Sequence, residues 1–250
     1  MISKEKIEVA SSICKIDLLS DLVGEFPELQ GILGGYFAES QGFEKDICLA
    51  LREQYLPIGN ESKIPKKPYS IALSLSDKID SLVGFFGLKL KPTSSKDPYA
   101  LRRLTFGLMK IILENNQKIK IKDLINYSCQ LYNEQNINFD NNNIQKELSE
   151  FINERFKYFM KEKGIRQDII VTSTYSYNID NIIKIYNKAN VLNKIILKEV
   201  GKDIIFSYKR AFSILNSELR DKELVIYGTP DLGLFKNNFE NNLYKKIHEI

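Results

Sequence analysis

At 250 residues, 43% of them hydrophobic, the chain can bury one large core or two of ordinary size. A formal net charge of +4 is compatible with a polyanionic partner without requiring one, and heavy use of Ile, Lys and Asn inflates every basic cluster. No apolar run approaches the ~20 residues that span a bilayer, and the charged start, MISKEKIEVASSICKIDLL, has no signal-peptide apolar region, which points to the cytoplasm.

Apolar residues recur at helical spacing and strand-like alternation is scarce, so the expected fold is all-α, with roughly ten helices. The first is expected over 4–19 and the second over 28–38, where Gly31, Gly34 and Gly35 imply close backbone packing or a bend, since each glycine costs ~1 kcal/mol in a helix interior. A third covers 43–55 and stops before Pro57. The fourth follows the 65–68 stretch and carries Ile71, Leu73, Leu75, Ile79, Leu82 and Val83, an apolar set on nearly all sides that belongs at the centre of a core. In the loop KPTSSKDP, Asp97 can cap a helix over 98–115 with Pro98 at its first position. The polar stretch ENNQKIKIK reads as a hinge, with a domain boundary between 117 and 118. Beyond it, helices are expected at 121–134, 144–163, 179–199 and 202–216, with NINFDNNN a solvated loop. The tail over 220–238 is turn-rich around GTPD, and a last amphipathic stretch ends abruptly at Ile250, as if the chain stopped before its domain.

The common short catalytic signatures are absent: no P-loop, GxGxxG, HExxH or nucleophile elbow occurs. The single histidine, His248, sits near the carboxyl end and reads as a surface residue rather than a base or ligand. Cys14, Cys48 and Cys129 lack CxxC spacing and read as small buried residues, with neither a disulfide framework nor a zinc site. Asp77 and Asp80 share a helix face and could bind a divalent cation or act as acid and base. A metal needs more ligands than this helix offers, so the favoured reading makes them structural acids paired with Arg102 and Arg103. Lys89, Lys91, Lys96, Arg102, Arg103 and Lys110 gather around the hydroxyls of Thr93, Ser94 and Ser95, a composition that suits phosphate contacts and equally a solvated loop. Lys209 and Arg210 form a second basic step, for which the solvated face is the favoured reading.

Four blocks carry more than spacing. EFPELQGILGGYFA, REQYLP, SLSDKIDSLVGFFGL and KPTSSKDPYALRRLTFGLMKII resemble, in order and spacing, the hallmark blocks of the β subunit of the bacterial two-subunit glycyl-tRNA synthetase. FINERFKYFMKEKGIRQDII and SYKRAFSIL resemble later family segments more loosely. The resemblance implies an HD-like helical domain without metal ligands over 1–117, then a helical body leading into an incomplete anticodon-binding, DALR-like region over 118–250. It implies a part of glycine–tRNA ligase that holds tRNA-Gly, with Lys91, Lys96, Arg102, Arg103, Lys209 and Arg210 as candidate RNA contacts. Glycine activation, with its ATP and Mg, would lie on the α subunit of an α2β2 enzyme, so no catalytic residue, cofactor or metal is expected here. The implied partners are the α subunit, tRNA-Gly and the remaining β-subunit portions. Two positions depart from the family pattern: Gly35 stands where many members carry a large residue, and Ser94 replaces a glycine. A non-catalytic RNA-binding remnant of a split or decaying gene is therefore the alternative. A metal-dependent phosphohydrolase of HD descent is a third reading, opposed by the missing histidines.

Overall fold

A computed structural model describes residues 3–59, 61–175, 179–221 and 229–249. Every element among them is helical, as the apolar periodicity requires. The chain divides into two compact units, Met1–Ile195 and Ile196–Ile250.

In the first unit, α1 (Lys4–Ile13) is shorter than expected, because the chain tightens into a 3-10 turn over Ile16–Leu19 that buries Asp17. The Asp17 carboxylate accepts the backbone N–H of Gly31, and Ser20 caps α2 (Asp21–Glu25) through the N–H of Leu22. The single helix expected over 28–38 is two pieces: a 3-10 turn, Pro27–Leu29, and α3 (Ile32–Ser40). Gly31 separates them with φ at +81°, a backbone state that side chains other than glycine's disfavour. α4 (Lys45–Glu53) then packs on α3 so closely that a Cβ on Gly35 would lie 2.6 Å from the carbonyl oxygen of Cys48. The side chain of Arg52 fills the space that a larger residue at 35 would need.

α5 (Pro68–Gly87) is the axis of the unit and packs against α1, α4, α6 (Leu101–Glu114), α7 (Ile121–Glu134) and α8 (Asn141–Glu162). Aromatic pairs fasten α8 to both neighbours: Phe86 of α5 meets Phe151 at 5.3 Å between ring centres, and Phe106 of α6 meets Phe159 at 5.5 Å. Asp140 starts α8 by accepting the N–H of Asn143 at 3.1 Å. The hinge expected at ENNQKIKIK lies inside this unit, where Asn115 Nδ2 donates to the carbonyl of Pro65 at 3.1 Å and α7 packs on α5. α9 (Gln167–Tyr175), which periodicity did not anticipate, packs on α8, and α10 (Ile182–Ile196) follows a 3-10 turn at Ile179–Asn181. Cys48 and Cys129 are free and buried as expected, whereas Cys14 is half-buried.

The second unit holds α11 (Glu199–Asp221), a 3-10 turn at Leu232–Leu234, and α12 (Asn238–His248), which Asn237 and Glu240 start with a reciprocal capping box. Residues 222–228 of the expected turn-rich tail, including the glycine of GTPD, lie outside the described residues. No helix among the described residues is long and apolar enough to cross a membrane.

The close approach of α3 and α4 makes Gly35 the intolerant glycine. Gly35→Val forces a methyl group against backbone and should lower the unfolding free energy by ~1–3 kcal/mol in urea titrations. Gly24→Ala, whose Cβ would meet nothing within 4 Å, should instead raise stability by up to ~1 kcal/mol. Equal effects at the two positions would contradict the packing described.

Candidate nucleic-acid interface

The polar side chains of α5 converge on the ends of its neighbours. Asp77 pairs with Lys15, which also donates to the hydroxyl of Tyr55 at 3.0 Å, and Gln30 donates to the same hydroxyl at 2.7 Å. Burial works to lower the Lys15 pKa, but the hydrogen bond and charge of Asp77 leave it raised. Lys78 is 1% exposed and makes no ion pair with a carboxylate among the described residues. Its ammonium donates to Ser74 Oγ at 2.8 Å and reaches the Gln54 carbonyl at 3.4 Å, while Ser74 donates to the Leu56 carbonyl at 2.7 Å. Desolvation brings the Lys78 pKa down to about 8, against the pull of the nearby Asp77 charge. Asp80 lies on the exposed side, where partial desolvation raises its pKa, and the hydroxyl of Tyr132 donates to its backbone carbonyl at 3.3 Å.

This arrangement corrects one expectation. Among the described residues Arg102 and Arg103 make no ion pair with Asp77 or Asp80: Asp77 is taken by Lys15, and Arg102 donates instead to the carbonyl of Thr93 at the turn before α6. That turn runs through Ala100, at φ +54°, so α6 starts at Leu101 rather than at Pro98. Asp97 still caps it, Oδ1 accepting from the N–H of Leu101 at 2.9 Å and Oδ2 from that of Arg102 at 3.0 Å.

The structure sorts the expected cations. Lys91 is paired with Glu147 of α8, and Lys110 is buried, donating to the Ser62 carbonyl at 2.9 Å, so it does not face the loop. Lys96 is exposed, and its N–H donates to Thr93 Oγ1 at 3.2 Å. Arg102 donates to the Thr93 carbonyl, and Arg103 is exposed. These two arginines share an open pocket of about 290 Å³ with Arg155 and Tyr158 of α8, over a floor of Phe106, Met109 and Phe159. Lys209 and Arg210 are exposed on α11 in the other unit.

Arg155 and Tyr158 were not singled out in the sequence. Their signal is the RFKYF segment, which puts a guanidinium and an aromatic ring three residues apart on one helix face. A larger groove of about 770 Å³, between the 116–120 stretch and α10, is lined by Lys118, Lys120, Lys184 and Lys188 above Ile119, Ile183 and Val191. Both recesses combine cations with apolar walls, the composition that holds phosphates and planar bases.

The buried ammonium has a signature in pH. Because the folded pKa of Lys78, about 8, lies below the unfolded 10.5, the unfolded chain binds more protons between those values and stability rises across that window. The gain should be roughly 3 kcal/mol from pH 8 to 10.5, taken as the difference from Lys78→Met, which lacks it. Parallel urea-derived stabilities of the two proteins over that range would refute the buried charge.

The family model described as glycyl-tRNA synthetase beta subunit matches residues 1–174. The glycine–tRNA ligase beta subunit of Rickettsia canadensis is 34% identical over 244 residues, 97% of this chain and 34% of that protein. That of Rickettsia africae is 36% identical over 242 residues, 96% of this chain and 34% of its own length. The Rhodospirillum centenum protein is 34% identical over 214 residues, 86% of this chain and 29% of the relative. The chain thus spans about a third of the length of the curated relatives it matches. A family match over residues 1–174, the stretch that contains α1 to α8, leaves one conclusion: the chain belongs to the glycyl-tRNA synthetase β-subunit family.

Proposed function

We propose that this chain is the part of a glycyl-tRNA synthetase β subunit that holds tRNA-Gly in the cytoplasm while the α subunit activates and transfers glycine. The observation that carries this reading is the set of arginines, Arg102, Arg103 and Arg155, gathered at one pocket and without a carboxylate partner among the described residues. Uncompensated guanidinium groups at a surface recess favour phosphate, which they grip in a planar fork. The family membership supplies the identity of the polyanion, and the remaining β-subunit portions and the α subunit are the protein partners.

ATP and Mg belong in this reading to the α subunit, and no residue of this chain acts on glycine. The carboxylates of α5 suit a structural role, since Asp77 is bound to an ammonium and Asp80 lies beside a tyrosine. Identity running over nearly the whole chain supports a working β-subunit segment rather than a remnant.

Two measurements test the proposal. Glycine charging of tRNA-Gly by the α subunit and the missing β regions should depend on adding this chain; charging that ignores a folded chain would leave the remnant reading. The double replacement Arg102→Ala with Arg103→Ala should weaken tRNA binding and reduce the slope of log affinity against log salt by about two, one for each phosphate released. The melting temperature should stay within a few degrees of the parent's, because neither arginine anchors Asp77. A large fall in melting temperature with an unchanged salt slope would overturn the assignment.

A further inference from the structure

The pocket between α6 and α8 is more specific than a phosphate-binding surface needs to be. A bare phosphate patch calls for exposed cations, yet here Tyr158, Phe106, Met109 and Phe159 supply an apolar lining. Met109 and Phe159 are buried in the core and Phe106 is braced against Phe159, so the floor is fixed before any ligand arrives. Tyr158 is 56% exposed, its ring available at the rim. Arg155 is held by π faces, 5.9 Å from the ring centres of both Phe151 and Tyr158, and its Nε–H is buried without an acceptor among the described residues. An orphaned guanidinium N–H beside an aromatic ring is costly unless something else benefits from that charge.

Composition sharpens the point. Only seven of the 36 basic residues are arginines, and three of the seven line this one pocket. Where lysine is the default cation, arginine stands out at places that need a planar, forked donor able to stack.

We propose that this pocket takes a single unstacked nucleotide of single-stranded RNA, its base against Tyr158 and Phe106 and its phosphates on Arg102, Arg103 and Arg155. The inference rests on the RNA-binding reading above and adds the form of RNA bound. A duplex offers phosphates and shallow groove edges but cannot fill an apolar recess, whereas a splayed base presents a flat face of the right chemistry. A volume of about 290 Å³ suits one nucleotide and leaves no room for a helical segment. Glu162, the one acid among the lining residues, sits where it can accept from a base amino group.

The test uses the full 250-residue chain, a fluorescently labelled single-stranded RNA decamer, and the same strand annealed to its complement. Anisotropy titrations should show the single strand binding about tenfold or more tightly than the duplex. Tyr158→Ala, at an exposed position, should lower single-strand affinity about tenfold with the salt slope unchanged, and Tyr158→Phe should retain the parent affinity. Arg103→Ala should instead reduce the salt slope by about one. Duplex binding equal to single-strand binding, or full affinity in Tyr158→Ala, would overturn the nucleotide pocket while leaving the phosphate surface in place. No RNA binding by the parent chain would remove both this inference and the RNA-holding function beneath it.

Discussion

A twenty-residue helix buried on nearly every side must find partners for its polar groups inside the protein, and the rest of the first unit is arranged around that demand on α5. Ser74 takes the carbonyl of Leu56, Lys78 takes Ser74 and reaches Gln54, Asp77 draws in Lys15, and the Asp80 carbonyl receives the Tyr132 hydroxyl. Apart from the Lys78–Ser74 bond inside the helix, these bonds tie α5 to three stretches of chain: the end of α4, the turn after α1, and α7. The buried ammonium of Lys78 is the costly member, and its persistence has a structural reason. A Cβ on Gly107 of α6 would lie 2.8 Å from Lys78 Cε, so the lysine stem occupies the space where α5 and α6 touch.

That central packing sets up the basic pocket. With α6 fixed against α5 and α8 fastened to both by Phe86–Phe151 and Phe106–Phe159, the exposed rims of α6 and α8 are held at a constant spacing. Arg102 and Arg103 from one rim and Arg155 with Tyr158 from the other then share a recess without any contact across α5. The recess is a product of helix packing more than of the loop that precedes α6: its lining comes from α6, α8 and Gly59, and the loop contributes through the Thr93 carbonyl that Arg102 binds. A site on rigid helices keeps its geometry before its ligand arrives, which lowers the ordering cost of binding.

How much of this could be read in the sequence follows from the range of each interaction. Helical periodicity, the central place of α5, the close packing at Gly34 and Gly35 and the capping role of Asp97 are local or nearly so, and all were legible. The Lys15–Asp77 pair joins residues 62 apart in sequence, so the arginines nearer along the chain were the natural but incorrect partners. The Arg155–Tyr158 side of the pocket lies about fifty positions beyond Arg102, and only the tertiary fold brings it there. α9 escaped notice for a different reason: QDIIVTSTY is rich in β-branched residues of modest helix propensity, and burial of Ile169 and Ile170 on α8 outweighs that preference.

The charge pattern of α6 argues that its arginines answer to something other than stability. A helix favours acids in its first turn and bases in its last, by roughly 0.3–1 kcal/mol each at exposed positions. α6 does the reverse, with Arg102 and Arg103 in the first turn and Glu114 at the end. Lys110 offsets Glu114 from one turn away, and Asp97 supplies the missing negative charge at the amino end through its two hydrogen bonds. One carboxylate spent on backbone N–H groups leaves two guanidinium groups beside the positive pole of the helix. Two cations at such a pole raise the local positive potential, which favours an anion over a cation there. A solvated surface would be served better by acids there, and this conflict with helix electrostatics is the local feature of α6 that the proposed phosphate-holding role would explain.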